Sequence, residues 1–170
     1  MHRDILKSVS RLVVKLGTGV LTDSRKLIEP AQLEQLVGQI AALRKAGKEV
    51  VLVTSGAVGA GMGALGYEER PTDLAEKQAC AAVGQSRLMT AYDKLFSAHG
   101  LVVAQVLLTH EDLEHHERHL NARNTLVTLL NCGVVPIINE NDAVSFTKSS
   151  SATMTNSPRS SHRSCLPIYL

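Results

Sequence analysis

"KEVVLVTSGAVGAG", residues 48–61, is the stretch on which the fold turns. It begins as a β-branched apolar run, breaks at Ser55-Gly56 and continues in small residues. An apolar run of this length without polar alternation belongs in a strand covered on both faces, as in parallel sheets. "RLVVKLG", residues 11–17, repeats the pattern. Between the two, "PAQLEQLVGQIAALRKAG" opens at Pro30, sets Leu33, Leu36, Val37, Ile40 and Leu43 on one face and stops at Gly47. That is an amphipathic helix with its start and stop signals.

The alternation continues outward. A small-residue helix is predicted to open near Ser55, then a loop around "GYEERPTD" and a longer helix from about Leu74 to Ala98. "LVVAQVLLT" (101–109) reads as a third strand, "LNARNTLVTLLNCG" (120–133) as a helix ended by Gly133, and "VVPIIN" (134–139) as a fourth strand. Strand and helix in strict alternation imply right-handed crossovers and an α/β fold with a parallel sheet covered on both faces.

With 170 residues, one domain with its own core is expected. The net charge is only +2 and Trp is absent, which argues against a basic stripe or a stacking platform for nucleic acid. Cys80, Cys132 and Cys165 make an odd set without a C-x-x-C pair, and the first residues lack a secretory apolar core. A reduced, cytoplasmic setting and no membrane span are expected.

Ligands of parallel sheets gather at the carboxyl ends of the strands. "VVKLGTGVL" places Lys15 beside Gly17 and Gly19, which suits a phosphate and equally suits an ordinary turn with a solvated lysine. The Gly-Lys-Ser/Thr of a P-loop is absent. Ser55 and Gly56 stand where a strand becomes a helix, so their amides face a carboxylate or phosphoryl group. Gly61, Gly63 and Gly66 spell G-x-G-x-x-G too far from the strand end for a dinucleotide fingerprint; close helix packing is the expected role. "NENDAVS" sets Asn139, Asn141 and Asp142 after the last strand, either to hold a substrate ammonium or as a polar turn. "THEDLEHHERHLNARNT" pairs His115 with His119 at i, i+4, without the H-E-x-x-H spacing of zinc proteases; no metal ligands are assigned.

"VVKLGTGVL", "VTSGAVGAG", "AAVGQSRLM", "LNARNTL" and "PIINENDAV", in this order, resemble the glutamate 5-kinases of the amino acid kinase family, over residues 11–146. The resemblance implies a three-layer αβα sandwich and phosphoryl transfer from ATP, with Mg2+, to the γ-carboxylate of L-glutamate. The product would be γ-glutamyl phosphate, the first intermediate of proline biosynthesis. Full-length relatives are expected to include homo-oligomers. Carried across by motif, Lys15 neutralises the transferring phosphoryl group and Gly17, Thr18 and Gly19 form the phosphate-side loop. Ser55, Gly56 and Ala57 form the glutamate-binding turn, and Asp142 contacts the substrate, with Asn139 and Asn141 nearby.

The resemblance breaks after Phe146, where the family continues close to D-E-I-K-x-G-D-N-D-x-L-S-A-L-V-A and this chain has "TKSSSATMTNSPRSSH". Reading those codons one base out of register recovers D-E-I-K-F-G-D-N-D-E-L-S-A-L-V-A. One position is forced: the G of Met154 with the AC of Thr155 encodes only Asp. Residues 1–146 are therefore expected to be the glutamate-binding part of a truncated kinase domain and residues 147–170 a frameshifted, disordered tail. Such a chain would lack most of the nucleotide half and be inactive alone. The alternatives are a non-catalytic fragment that binds glutamate or docks with an intact subunit, a superfamily member acting on carbamate, aspartate or a nucleotide, and a dinucleotide-dependent oxidoreductase.

Overall fold

The computed structural model describes residues 8–23, 27–109, 112 and 114–140. Four strands, β1 (Arg11–Leu16), β2 (Glu49–Thr54), β3 (Val103–Leu108) and β4 (Val135–Glu140), form one sheet in the order β1-β2-β4-β3. All three pairings are parallel. The expected α/β class is correct, and β4 enters last, between β2 and β3.

Each crossover carries helix. A four-residue turn, α1 (Thr18–Leu21), and α2 (Pro30–Lys45) link β1 to β2; α3 (Ala57–Leu65) and α4 (Leu74–Ser97) link β2 to β3; α5 (His116–Asn131) links β3 to β4. Because side chains alternate along a strand, the two faces of the sheet bury different sets. Leu16, Val50, Leu52, Val135 and Ile137 pack under α2 and α4 with Leu33, Val37, Ile40, Leu88, Tyr92 and Phe96. Val51 and Ile138 pack on the other face with Leu126 and Leu130 of α5. That is an αβα sandwich.

The helix boundaries follow local chemistry. Pro30 stands at the start of α2, and Asp73 caps α4 by accepting from the Glu76 amide at 3.1 Å. Gly47 (φ 79°) and Gly133 (φ 78°) take the left-handed conformation just past α2 and α5, which is why the sequence stops there. Arg44 then fastens the amino edge of the sheet, donating to the Lys48 carbonyl at 3.0 Å and the Gly133 carbonyl at 2.8 Å.

Two expectations are corrected. The histidine-rich helix starts at His116, with His115 in extended conformation as its N-cap, so His115 and His119 are not two helical residues on one face. The Glu117 carboxylate in the first turn and an exposed first turn suit this start. In the glycine triplet only Gly61 serves packing: a Cβ there would fall within 3.0 Å of the Cys80 backbone, whereas one on Gly63 would meet only the Leu27 side chain at 3.7 Å. Gly66 (φ 75°) instead ends α3 in left-handed conformation.

Candidate functional site

The parallel strands end together along one edge of the sheet, bringing Lys15, the Ser55–Gly56 turn and Asn139 to the same rim. At β2 the chain must reverse abruptly into α3. Gly56 makes this possible with φ 107°, a conformation that disfavours any residue with a Cβ. A Cβ there would also meet Ile28 Cδ1 at 3.0 Å. The expected helix at Ser55 therefore opens two residues later, at Ala57, with Gly56 as N-cap. The cap makes no side-chain hydrogen bond, so the first amides of α3 rely on other acceptors. The Ser55 amide itself is spent on the Leu16 carbonyl at 3.0 Å, tying β1 to β2 at the rim.

Lys15 is exposed and lies one residue before the end of β1, in register with Val53. Val53 packs on the α5 face, so Lys15 emerges on that face. Gly17–Gly19 is not an open glycine loop: Val20 donates to the Gly17 carbonyl at 2.9 Å and Thr18–Leu21 forms a helical turn. Gly17 has an ordinary φ of −74°, and a Cβ on Gly17 or Gly19 would meet nothing within 4 Å. The glycines therefore leave open space beside the backbone, which a phosphate can approach closely.

Asn139, the last residue of the expected fourth strand, lies inside β4, paired in register with Leu107 and only 3% exposed. The run of β4 continues through Glu140 because β3 still offers a partner at Leu108. Asn141 and Asp142 lie outside the described residues.

Helix α4 closes the rim from the other side. A Cβ on Gly84 would fall within 3.0 Å of the Ala57 carbonyl and the Gly61 amide, so α3 and α4 touch backbone to backbone beside the Gly56 turn. One residue on, Gln85 accepts through Oε1 from Asn139 Nδ2. Two turns further, the Tyr92 hydroxyl and Thr54 Oγ1 are 2.7 Å apart. Burial pushes the Tyr92 phenol up to about 12, and the Thr54 bond pulls it only partly back. Gln85 and Tyr92 were missed as site residues from sequence. The signal was available: Gln85 is an amide at the next inward position of the stripe that runs through Leu88, Tyr92 and Phe96.

The amino acid kinase family profile matches residues 10–156. The chain belongs to the amino acid kinase family. Its αβα architecture is that of this family. Among curated members, the glutamate 5-kinase of Azoarcus sp. (strain BH72) is 56% identical over 142 residues, covering 84% of this chain and 38% of the relative. That of Geobacter sp. (strain M21) is 55% identical over 144 residues, 85% of this chain and 39% of the relative. That of Moorella thermoacetica (strain ATCC 39073 / JCM 9320) is 55% identical over 139 residues, 82% and 37%. This amino acid kinase family member thus spans less than two fifths of the length of the relatives it matches. None of the described helices is long and apolar enough to cross a membrane.

Proposed function

We propose that this chain carries the glutamate side of a glutamate 5-kinase, the enzyme that phosphorylates the γ-carboxylate of L-glutamate with MgATP at the start of proline biosynthesis, in the cytoplasm. The observation that carries the reading is the identity of about 55% to enzymes of that name across 84% of this chain. The rim geometry supports it.

In this reading the glutamate γ-carboxylate oxygen attacks the γ-phosphorus of ATP, the bond from that phosphorus to the ADP oxygen breaks, and ADP leaves. No proton moves, because the acceptor is already ionised; positioning and charge neutralisation do the catalysis. Lys15 supplies the positive charge for the transferring phosphoryl group, and the open backbone at Gly17, Thr18 and Gly19 lets the phosphates come close. Ser55, Gly56 and Ala57, at the start of α3, receive the substrate, and the motif assigns Asn139, Asn141 and Asp142 to the same ligand. ATP and Mg2+ enter together as substrate.

Calorimetric titration with L-glutamate, beside an assay of ATP-dependent γ-glutamyl phosphate formation, tests this. Turnover supports the kinase reading. Binding without turnover supports the second reading, a glutamate-binding or subunit-docking fragment, which the chain's 38% share of its relatives favours. Absence of glutamate binding removes the kinase reading and the glutamate-binding fragment, leaving only a subunit-docking one.

We also propose that residues 147–170 are the family's continuation read one base out of frame. The nucleotide sequence after the Phe146 codon tests this: an adjacent frame without D-E-I-K-F-G-D-N-D overturns it.

A further inference from the structure

Gln85 has two ends with different fates. Its Oε1 accepts from Asn139 Nδ2, whereas its Nε2 is sealed from solvent and has no hydrogen-bond partner. Among the described residues the other such atom is Arg44 Nε, at the opposite edge of the sheet, in a guanidinium already held by two carbonyls. Leaving a buried N–H unpaired is costly, and such a group in a folded protein calls for a functional or structural cause.

The place of Gln85 supplies the cause. Its neighbour Gly84 abuts Ala57, and its own oxygen holds Asn139, so Gln85 stands between the Gly56 turn and the end of β4. An amide N–H can only donate, so an ammonium group cannot be its partner and a carboxylate can. Lys15 is on β1, two strands from the β4 that Gln85 holds through Asn139, and emerges on the opposite face of the sheet. The two side chains therefore serve opposite ends of a ligand laid over the rim. An amide also adds a donor without the desolvation cost of a buried cation.

We propose that Gln85 is a specificity-determining residue whose Nε2 donates to the α-carboxylate of the amino-acid substrate, while Lys15 faces the reacting γ-carboxylate. This inference rests on the glutamate reading above. Gln85 recognises the backbone end of the amino acid and leaves the γ end free to react.

Isothermal titration of the full 170-residue chain with L-glutamate and with 4-aminobutanoate, which is glutamate without its α-carboxylate, tests the assignment. Gln85→Glu keeps an oxygen for Asn139 Nδ2 and loses the donor; Gln85→Leu loses both. Glutamate affinity should fall about 10- to 100-fold in either variant, while 4-aminobutanoate affinity stays within about twofold of wild type. Circular dichroism verifies folding, and either folded variant suffices. Unchanged glutamate affinity in Gln85→Glu, or an equal loss for both ligands in Gln85→Leu, overturns this inference alone. A wild-type chain that binds no glutamate overturns the glutamate reading and this inference with it.

Discussion

The Tyr92 hydroxyl and Thr54 Oγ1 meet at 2.7 Å beneath the rim, both side chains buried. The bond joins the last residue of β2 to the inner face of α4, so the helix holds the strand end from which the Gly56 turn departs. Thr54 also turns its hydroxyl to the Ser55 carbonyl at 3.2 Å. A polar pair inside an otherwise apolar cluster fixes where α4 sits along the sheet.

Replacing Tyr92 with Phe should destabilise the chain by about 1 kcal/mol, the net worth of one buried hydrogen bond. It should also change the alkaline limb. The folded state raises the Tyr92 pKa from 10.0 to about 12, so it holds the phenolic proton more tightly than the unfolded chain does. The stability this contributes is complete below pH 10 and lost as pH rises to about 12, on the order of 3 kcal/mol at the limit. Urea unfolding of wild type and Tyr92→Phe from pH 9 to 12 should show wild type the more stable at pH 9 and the two curves crossing near about pH 11. Parallel curves would contradict the buried pairing.

The helix contact makes a sharper contrast. Gly84→Ala drives a methyl into the Ala57 carbonyl and Gly61→Ala drives one into Cys80, both backbone obstacles that cannot rotate away. Each should cost more than about 3 kcal/mol or prevent soluble folding. Gly63→Ala, with only Leu27 at 3.7 Å, should be neutral or stabilising by up to about 1 kcal/mol through helix propensity. Thermal melts of the three variants check the order.

Lys15 is exposed on an uncovered part of its face, so Lys15→Met should leave stability within about 0.5 kcal/mol. On the kinase reading it should lower phosphoryl transfer at least about 100-fold, the scale of a lost transition-state charge contact. Melting curves and single-turnover assays on a frame-restored protein measure both; a variant with full activity would remove Lys15 from the mechanism.

Arg44 closes the amino edge with two carbonyl bonds. Arg44→Ala should cost about 2 kcal/mol by chemical denaturation, and Arg44→Lys should recover less than half, because an ammonium cannot span both carbonyls as the planar guanidinium does. Full recovery by lysine would show that charge alone matters.

Much of the fold is legible from the sequence because its signals are local. The β-branched runs at residues 11–16 and 49–54, Pro30, Gly47 and Gly133 act through backbone preference within a few residues, and they mark strands and helix ends correctly. The site was legible in part. Lys15, Ser55, Gly56 and Asn139 all reach one rim, as strand-end residues of a parallel sheet must. The start of α5 was misread because Arg118 and the histidines carry no apolar period, and the fourth strand runs one residue past Asn139 because a strand's length depends on whether its neighbour still pairs with it.

By itself the sequence determined the alternation of strand and helix, the parallel class and family membership, since periodicity, turn residues and collinear motifs are all properties of the chain. Only the tertiary structure decided the strand order β1-β2-β4-β3, the division of Lys15 and Asn139 between opposite faces, and the glycines at which two helices touch. It also decided that Gln85, 54 positions away along the chain, meets Asn139. Contacts between such distant residues arise from how helices pack over the sheet, which no local preference encodes.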